Sequence, residues 1–388
     1  MLRLLHTADV HLGARHSDLG EQATAQRERQ FLAFQRSIEL ALAEHIDLFL
    51  IAGDLFDSNT QPRRSVERVA AELRRLAQAA IRTVIIPGTH DAYDRSSIYR
   101  AHDLVAMAGL PATTDLVTIL TPEQPDVVLR PIDAVVYSRV FATRRAPRSP
   151  LAEFDVSKDD RATWRIGMIH GAVSIPGRTD GDDVVITTAE IAASGLDYLA
   201  LGHWHSAQVA RAGKIDYAYS GAPEPVAVDQ DRAGKVLLVT CNVVGGRKTV
   251  TVEERTVGRT RFEKVDLDAR DVANQPALID GLRARADPDL VLDVRLTGLR
   301  ADELDLDGTE IETALAPSFL KMRFRDLAVT PLSEGHLPPV DTISGAFVRQ
   351  VEARIGEAET AGDAESAGEL RDVLRLGRLL LAGHEVTL

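Results

Sequence analysis

Residues 46–57 read IDLFLIAGDLFD: a nearly apolar run that stops at Gly53 and gives way to two carboxylates, Asp54 and Asp57. A short apolar run closed by glycine and acid is the pattern of a strand buried on both faces. The same pattern recurs on either side. Upstream, residues 2–9 form a shorter run that closes on Asp9 and His11. Downstream, residues 82–87 (RTVIIP) form a third run, followed by Gly88, Thr89, His90 and Asp91. Between the first two runs, residues 26–45 place Phe31, Phe34, Ile38 and Leu42 at intervals of 3, 4 and 4. Between the second and third, residues 63–80 place Val66, Val69, Leu73, Leu76 and Ala80 at intervals of 3, 4, 3 and 4. Both spacings predict amphipathic helices. Strand–helix–strand units in series predict right-handed crossovers and a largely parallel central sheet.

A second group of runs follows at residues 135–140, 164–171, 197–205, 235–241 and 249–254, with little helical signal between them. These are expected to form a second sheet facing the first, so the fold class is α/β, a two-sheet αββα sandwich. Past residue 258 the pattern becomes β-α-β-α-β, with strands near 261–267, 290–298 and 319–329 and helices near 270–286 and 301–315. Gly335, Pro338 and Pro339 mark a linker before two helices near 343–358 and 365–382. The expected domains are therefore 1–257, 258–332 and 333–388.

Length and composition bound the reading. The 388 residues are 45% hydrophobic and 27% charged, which excludes disordered, collagen-like and disulfide-stapled classes. The single cysteine, Cys241, cannot form an internal disulfide, and the start lacks a signal-peptide layout. No apolar run reaches the ~18 residues of a membrane span. A cytoplasmic protein without a membrane anchor is expected. The net charge of −13 makes attraction to nucleic acid a local property, if it exists, and not a global one.

The chemistry lies in where the polar residues fall. Asp9 and His11, Asp54 and Asp57, His90 and Asp91, His170, and His203 with His205 each close an apolar run at its C-terminal end. That edge is where ligand sites form in open α/β sheets. Asp and His are hard-oxygen and borderline-nitrogen donors suited to Mn²⁺, Fe²⁺ or Zn²⁺. The pairs Asp9/His11 and His203/His205, two residues apart at strand ends, are expected to point to one face. Asp54 is placed to bridge two ions, and two metals about 3.5–4 Å apart can clamp a phosphate for in-line attack. Each pair alone is more often a surface turn or a core histidine; five in order at strand ends are not. Asp57 is expected to cap a helix or brace its turn. His6 and Trp204 are assigned to the core, Cys241 to a buried strand position, and no role is given to His16, His45, His102, His336 or His384.

The series D-V-H, G-D-L-F-D, G-T-H-D, H-G and G-H-W-H resembles the calcineurin-like metallophosphoesterase superfamily. LLHTADVHLG, IAGDLFDSN and YSGAPEP resemble its SbcD-type DNA-repair exonuclease branch, over about residues 1–255. The resemblance implies a metallophosphoesterase core with a small α+β capping domain and C-terminal helices that dock on an SbcC-like SMC-family ATPase. It implies two divalent ions, typically Mn²⁺. Asp9, His11, Asp54 and His205 would hold the first; Asp54, His170 and His203 the second. His90 would face the scissile phosphate and Asp91 would orient His90. Where the family has Asn as a further ligand of the second metal, this chain has Thr89. Its hydroxyl is shorter and a weaker donor, so a weakened second site is expected. A homodimer is also implied, with contacts near residues 62–80 and 97–109.

Signals for DNA are fewer. Arg139, Arg144, Arg145 and Arg148 cluster in one segment. In the run at 319–329, Lys321, Arg323 and Arg325 alternate with Met322 and Phe324, a basic stripe suited to phosphate contacts. Residues 365–382 carry Leu370, Val373, Leu374, Leu376, Leu379, Leu380 and Leu381, more than one narrow stripe, which fits either packing against the 258–332 domain or a partner surface. The leading expectation is a metal-dependent DNA exonuclease and endonuclease working in DNA repair. The alternatives are a phosphatase or phosphodiesterase for small nucleotides and a DNA-end-binding scaffold with catalysis weakened at Thr89.

Overall fold

The structure is a computed structural model that describes residues 1–179, 184–226, 230, 232–301, 304–328, 339 and 341–381. Gly335, His336, Pro338 and His384 lie outside these residues, as does the side chain of Leu379. The chain divides into two compact units, Met1–Thr260 and Arg261–Leu388.

The first unit opens with β1 (Leu2–Thr7), α1 (Ala23–Ala43), β2 (Leu48–Ala52), α2 (Arg63–Gln78) and β3 (Arg82–Ile86). Two short helices, α3 (Ile98–Ala101) and α4 (Leu104–Met107), lead to β4 (Val117–Ile119). The chain then forms β5 (Asp126–Leu129), β6 (Ala134–Ser138), β7 (Trp164–His170) and a small pair, β8 (Ala172–Val173) and β9 (Val185–Ile186). It continues through α5 (Thr188–Ala193), β10 (Tyr198–Gly202), β11 (Gln208–Ala212) and β12 (Ile215–Tyr219). A long hairpin, β13 (Lys235–Val244) and β14 (Arg247–Thr256), ends the unit.

Two six-stranded sheets result, in the orders β14-β13-β1-β2-β3-β4 and β11-β12-β10-β7-β6-β5. In each, four neighbouring strands are parallel: β1 to β4 in one, and β12, β10, β7 and β6 in the other. The expected second sheet is corrected in one respect. The β13–β14 hairpin pairs antiparallel with β1 and returns to the first sheet. Its alternation marks it as a strand pair but carries no record of which neighbour it takes. The short strands β4, β5, β11 and β12 were not expected.

Each central strand is buried on both faces, which explains the continuous apolar runs. Leu4, Leu50 and Val84 meet Val136, Ile166 and Ala200 in the layer between the sheets. Leu5, Phe49 and Ile85 face outward onto Phe34 and Ile38 of α1 and Val69 and Leu73 of α2. Tyr137, Leu199 and Tyr217 cover the far side of the second sheet together with Ile191 of α5. The layers are therefore α, β, β and α. His6 is fully buried with Nδ1 3.0 Å from the Tyr198 hydroxyl, and Cys241 is buried in β13, both as expected. Trp204 is half-buried and stacks on Tyr219.

The second unit holds β15 (Arg261–Asp268), α6 (Gln275–Arg283), β16 (Asp287–Thr297), α7 (Gly308–Leu315) and β17 (Phe319–Asp326). The three strands form one parallel sheet in sequence order. The two helices are shorter than the spacing predicts. Leu292, Val294, Met322 and Phe324 pack on one sheet face with Leu278, Leu282, Ile311 and Leu315. A helical hairpin follows: α8 (Ile343–Ala361), capped by Thr342 accepting from the Gly345 N–H at 3.0 Å, and α9 (Ala364–Leu381). On α9, Val373, Leu380 and Leu381 are exposed, while Leu370, Leu374 and Leu376 are half-buried. Among the described residues, no helix is long and apolar enough to cross a membrane.

Candidate metal centre

Every predicted ligand lies at or just past the C-terminal end of a parallel strand, His170 as the last residue of β7, but the geometry past the strand ends is not the expected one. Asp9 and His11 lie beyond β1 with φ of +53° and +49°, Asp54 beyond β2 at +51°, and His203 beyond β10 at +107°. These are left-handed backbones, uncommon for side-chain-bearing residues and most tolerated by Asp, Asn and His. Strand alternation therefore does not aim the side chains; tight, strained turns do. The turns interlock through the Asp9 N–H on the Gly53 carbonyl at 3.1 Å and the His11 N–H on the Asp54 carbonyl at 3.0 Å. Gly53 (φ +94°) must be glycine, because a Cβ there would sit 2.2 Å from His170 Nδ1. A Cβ on Gly88 would sit 2.3 Å from Asp54 Oδ1.

The predicted ligands converge in two groups whose donor atoms lie within 4.8 Å of one another, Asp9, His11 and His205, and Asp9, Asp54 and His170; a third group of the same kind joins His11 to Asp57 and His90. Asp54 Oδ2 lies 3.7 Å from His11 Nε2 and 3.1 Å from His170 Nε2, and so stands between the groups. His11 Nε2 faces His205 Nε2 at 3.2 Å. The His203 ring lies 5.6 Å from that of His170, and the His203 backbone N–H donates to both Asp9 oxygens at 3.0 and 3.1 Å. Thr89 Oγ1 donates to Asp54 Oδ2 at 3.4 Å, and the His90 N–H donates to Asp54 Oδ1 at 2.7 Å. A cavity of about 20 Å³, bounded in part by Gly88, Thr89, His170 and Arg139, adjoins Thr89.

Two roles differ from expectation. Asp91 does not reach His90. Its buried carboxylate accepts from the Gly88 N–H at 2.7 Å, the Phe56 N–H at 3.2 Å and the Tyr99 hydroxyl at 2.6 Å. It fixes the turn that carries Thr89 and His90. The partner of His90 is Asp57: His90 Nδ1 donates to the Asp57 carbonyl at 3.0 Å. The Asp57 carboxylate lies 3.3 Å from His11 Nδ1 and 3.8 Å from His90 Nδ1. Its place three residues past Asp54 in the same turn was the available signal. The side-chain amide of Gln230 meets His205 Nδ1, which nothing in the sequence marks.

The electrostatics call for cations. Asp9 and Asp54 are buried near each other, and the groups that offset their charge are histidines. Burial pushes the Asp9 carboxyl up to about 6, with His170 opposing and Asp54 adding to the rise. Burial would also raise Asp54, but His170 and His11 hold it well below the usual carboxylate range. Burial works against charging His170, yet Asp54 and Asp9 overrule it and raise its imidazole to about 10. In this arrangement a proton on His170 supplies the positive charge between two buried acids. His205, lowered to about 3 by burial and by neighbouring His11, stays neutral and able to ligate. Buried His170 Nε2 and His11 Nδ1 both lack an aligned hydrogen bond. The donor set of carboxylates and imidazoles fits divalent ions, which would take the place of the proton on His170.

The basic stripe is less than it promised. Lys321, Arg323 and Arg325 do face away from the core. However, Arg325 pairs with Asp293 of β16, with Nε 3.1 Å from Oδ1, and the neighbouring Arg295 pairs with Asp266 of β15 at 2.7 Å. The face is a charge checkerboard, and Arg325 is not a free cation. On the helices expected to form a dimer contact, no large apolar side chain is exposed among the described residues.

Comparison with known proteins follows this geometry. The chain is 27% identical to the uncharacterized metallophosphoesterase YhaO of Bacillus subtilis over 71% of this chain and 65% of that protein. It is 29% identical to the DNA double-strand break repair protein Mre11 of Aeropyrum pernix, over 59% of this chain and 55% of that one. It is 24% identical to a subunit of the nuclease SbcCD of Escherichia coli K12, over 76% of this chain and 78% of that one. The chain thus spans less than two thirds of the length of the first two relatives. The model of calcineurin-like phosphoesterases, hydrolases that use divalent metals, matches residues 2–207. That span covers more than half of the sequence and every rim residue from Asp9 to His205, so the chain belongs to the calcineurin-like phosphoesterase family.

Proposed function

We propose that this protein is a two-metal phosphodiesterase that cleaves DNA in repair, acting with an SbcC-like SMC-family ATPase and located in the cytoplasm. The observation that carries the reading is the convergence of Asp9, His11, Asp54, His170 and His205 on one rim. The names of two relatives, a double-strand break repair protein and a nuclease subunit, support DNA as the substrate.

Asp9, His11, Asp54 and His205 would hold one ion and Asp54, His170 and His203 the other, with Mn²⁺ the preferred metal. Bound ions supply Lewis acidity at the phosphate. Donation from His90 Nδ1 to the Asp57 carbonyl leaves Nε2 as the free ring nitrogen, on a ring whose side chain is 49% exposed. His90 Nε2 is therefore the nitrogen that meets the substrate; carrying a second proton there, the ring would pass it to the leaving oxygen and keep its Nδ1–H on the Asp57 carbonyl. Asp91 acts as a positioning residue: it pins Gly88 and Phe56, and with them the turn bearing His90. Thr89 spends its hydroxyl on Asp54 and offers the second ion a weak ligand at most. Lys321 and Arg323 remain candidate DNA contacts, α8 and α9 the ATPase-docking elements, and a homodimer the assembly.

The Thr89 contact also favours a second reading, a DNA-end-binding scaffold with little catalysis. A manganese-dependent nuclease assay on linear duplex and hairpin DNA separates the two. Cleavage that His90→Ala lowers about 10²–10⁴-fold supports the nuclease. Binding of DNA ends without cleavage supports the scaffold. Hydrolysis of small phosphate esters alone would overturn both in favour of a small-substrate phosphatase.

A further inference from the structure

The opposite end of the sandwich carries a cleft of about 950 Å³. It forms where β7 begins (Arg165), where the chain enters β10 (Asp197), at the β11–β12 turn (Arg211, Lys214) and at the β13–β14 turn (Arg247, Lys248). β7 runs from this end to the metal rim. Arg165 and His170 are five residues apart on it, roughly 17 Å at the rise of a strand.

The charge in the cleft runs against that of the chain. Five cations face two carboxylates, Asp197 and Asp216, in a protein whose net charge is −13. The carboxylates are already engaged. Lys248 Nζ lies 2.7 Å from Asp197 Oδ2, with Arg165 Nε 3.8 Å from the same oxygen, and Arg211 Nε lies 3.3 Å from Asp216 Oδ1. Arg165 is further fixed by donating to the Val156 carbonyl at 3.1 Å and to that of Ser157 at 2.6 Å. Lys214 and Arg247, at the tips of two separate hairpins, are exposed, and their side chains have no ion-pair or hydrogen-bond partner among the described residues. Like charges gathered in a concave surface repel one another and focus a positive potential that an anion would relieve. The lining residues include no aromatic ring. Base stacking is therefore not offered there, and recognition falls to phosphate oxygens.

We infer that this cleft is an anion-binding site for a chain of phosphates, separate from the metal rim. The chain is either a free polyphosphate, as in a nucleoside triphosphate tail, or the backbone of a single nucleic-acid strand. The inference does not depend on the nuclease reading, and its test is run with metal removed.

Full-length protein in EDTA is titrated with tripolyphosphate and, separately, with a labelled single-stranded oligonucleotide. The same titrations are made on Lys214→Glu/Arg247→Glu, on the neutralised Lys214→Gln/Arg247→Gln, and on Arg64→Glu/Arg354→Glu, which changes net charge equally elsewhere on the surface. All four substituted positions are exposed, so thermal midpoints should match the wild type. The cleft reversal should weaken binding at least tenfold, neutralisation should weaken it less, and the remote reversal should change it less than twofold. Loss confined to tripolyphosphate identifies a free polyanion as the ligand; loss confined to the oligonucleotide identifies a strand backbone. No binding of either probe by the wild type, equal binding by the cleft variants, or equal weakening by the remote variant would overturn the inference.

Discussion

The metal rim and the outer face of the β15–β17 sheet treat acidic side chains in opposite ways. On the rim, Asp9 and Asp54 are 0% and 2% exposed, lie close enough to repel each other, and are offset by histidines. On the sheet, Asp266 and Asp293 are each met by an arginine from the adjacent strand, at the surface. Exposed pairs of that kind contribute about 0–1 kcal/mol and cost little to form. Two carboxylates removed from water cost several kcal/mol each unless positive charge compensates them. Burial is what separates a structural charge ladder from a demand for cations.

The largest expected effect comes from breaking the turn that aims the rim. Gly53→Ala forces a Cβ into His170 at a positive φ. It should lower stability by about 2–4 kcal/mol and abolish manganese binding, as read by denaturant unfolding and metal titration. His6 sharpens the comparison, being a buried histidine near the rim with no carboxylate beside it. Burial lowers its pKa to about 3, against 6.5 when free. Below pH 6.5 the unfolded chain therefore takes up a proton that the folded chain refuses, and stability falls as pH falls. The loss should be about 2 kcal/mol between pH 7 and pH 5. His6→Gln should remove that increment from the pH dependence of the unfolding midpoint; an unchanged slope would place the loss elsewhere. The smallest effect belongs to the sheet face. A double-mutant cycle of Arg325→Gln and Asp293→Asn should give a coupling below about 1 kcal/mol.

What the sequence disclosed follows the same division. The central strands were legible because both faces are buried, leaving uninterrupted apolar runs with polar residues only at the ends. The rim residues were legible because those end positions held Asp and His. Pairing partners were not, since alternation in 235–254 fits an edge of either sheet. The loop contacts were not either. Asp57 read as a turn residue because its approach to His11 depends on a left-handed backbone that spacing does not encode, and Asp91 was given to His90 by the family resemblance, whereas here its carboxylate is taken up by the Gly88 and Phe56 N–H groups and the Tyr99 hydroxyl. The stripe at Lys321, Arg323 and Arg325 was correctly placed on one face, but the acids opposite it come from another strand and show only in the register.

The most direct test is a calorimetric titration of metal-stripped protein with manganese. Two unequal binding events are predicted, the weaker one tightening about tenfold in Thr89→Asn as an amide oxygen replaces the hydroxyl. A titration with no bound manganese in a folded protein would contradict the account.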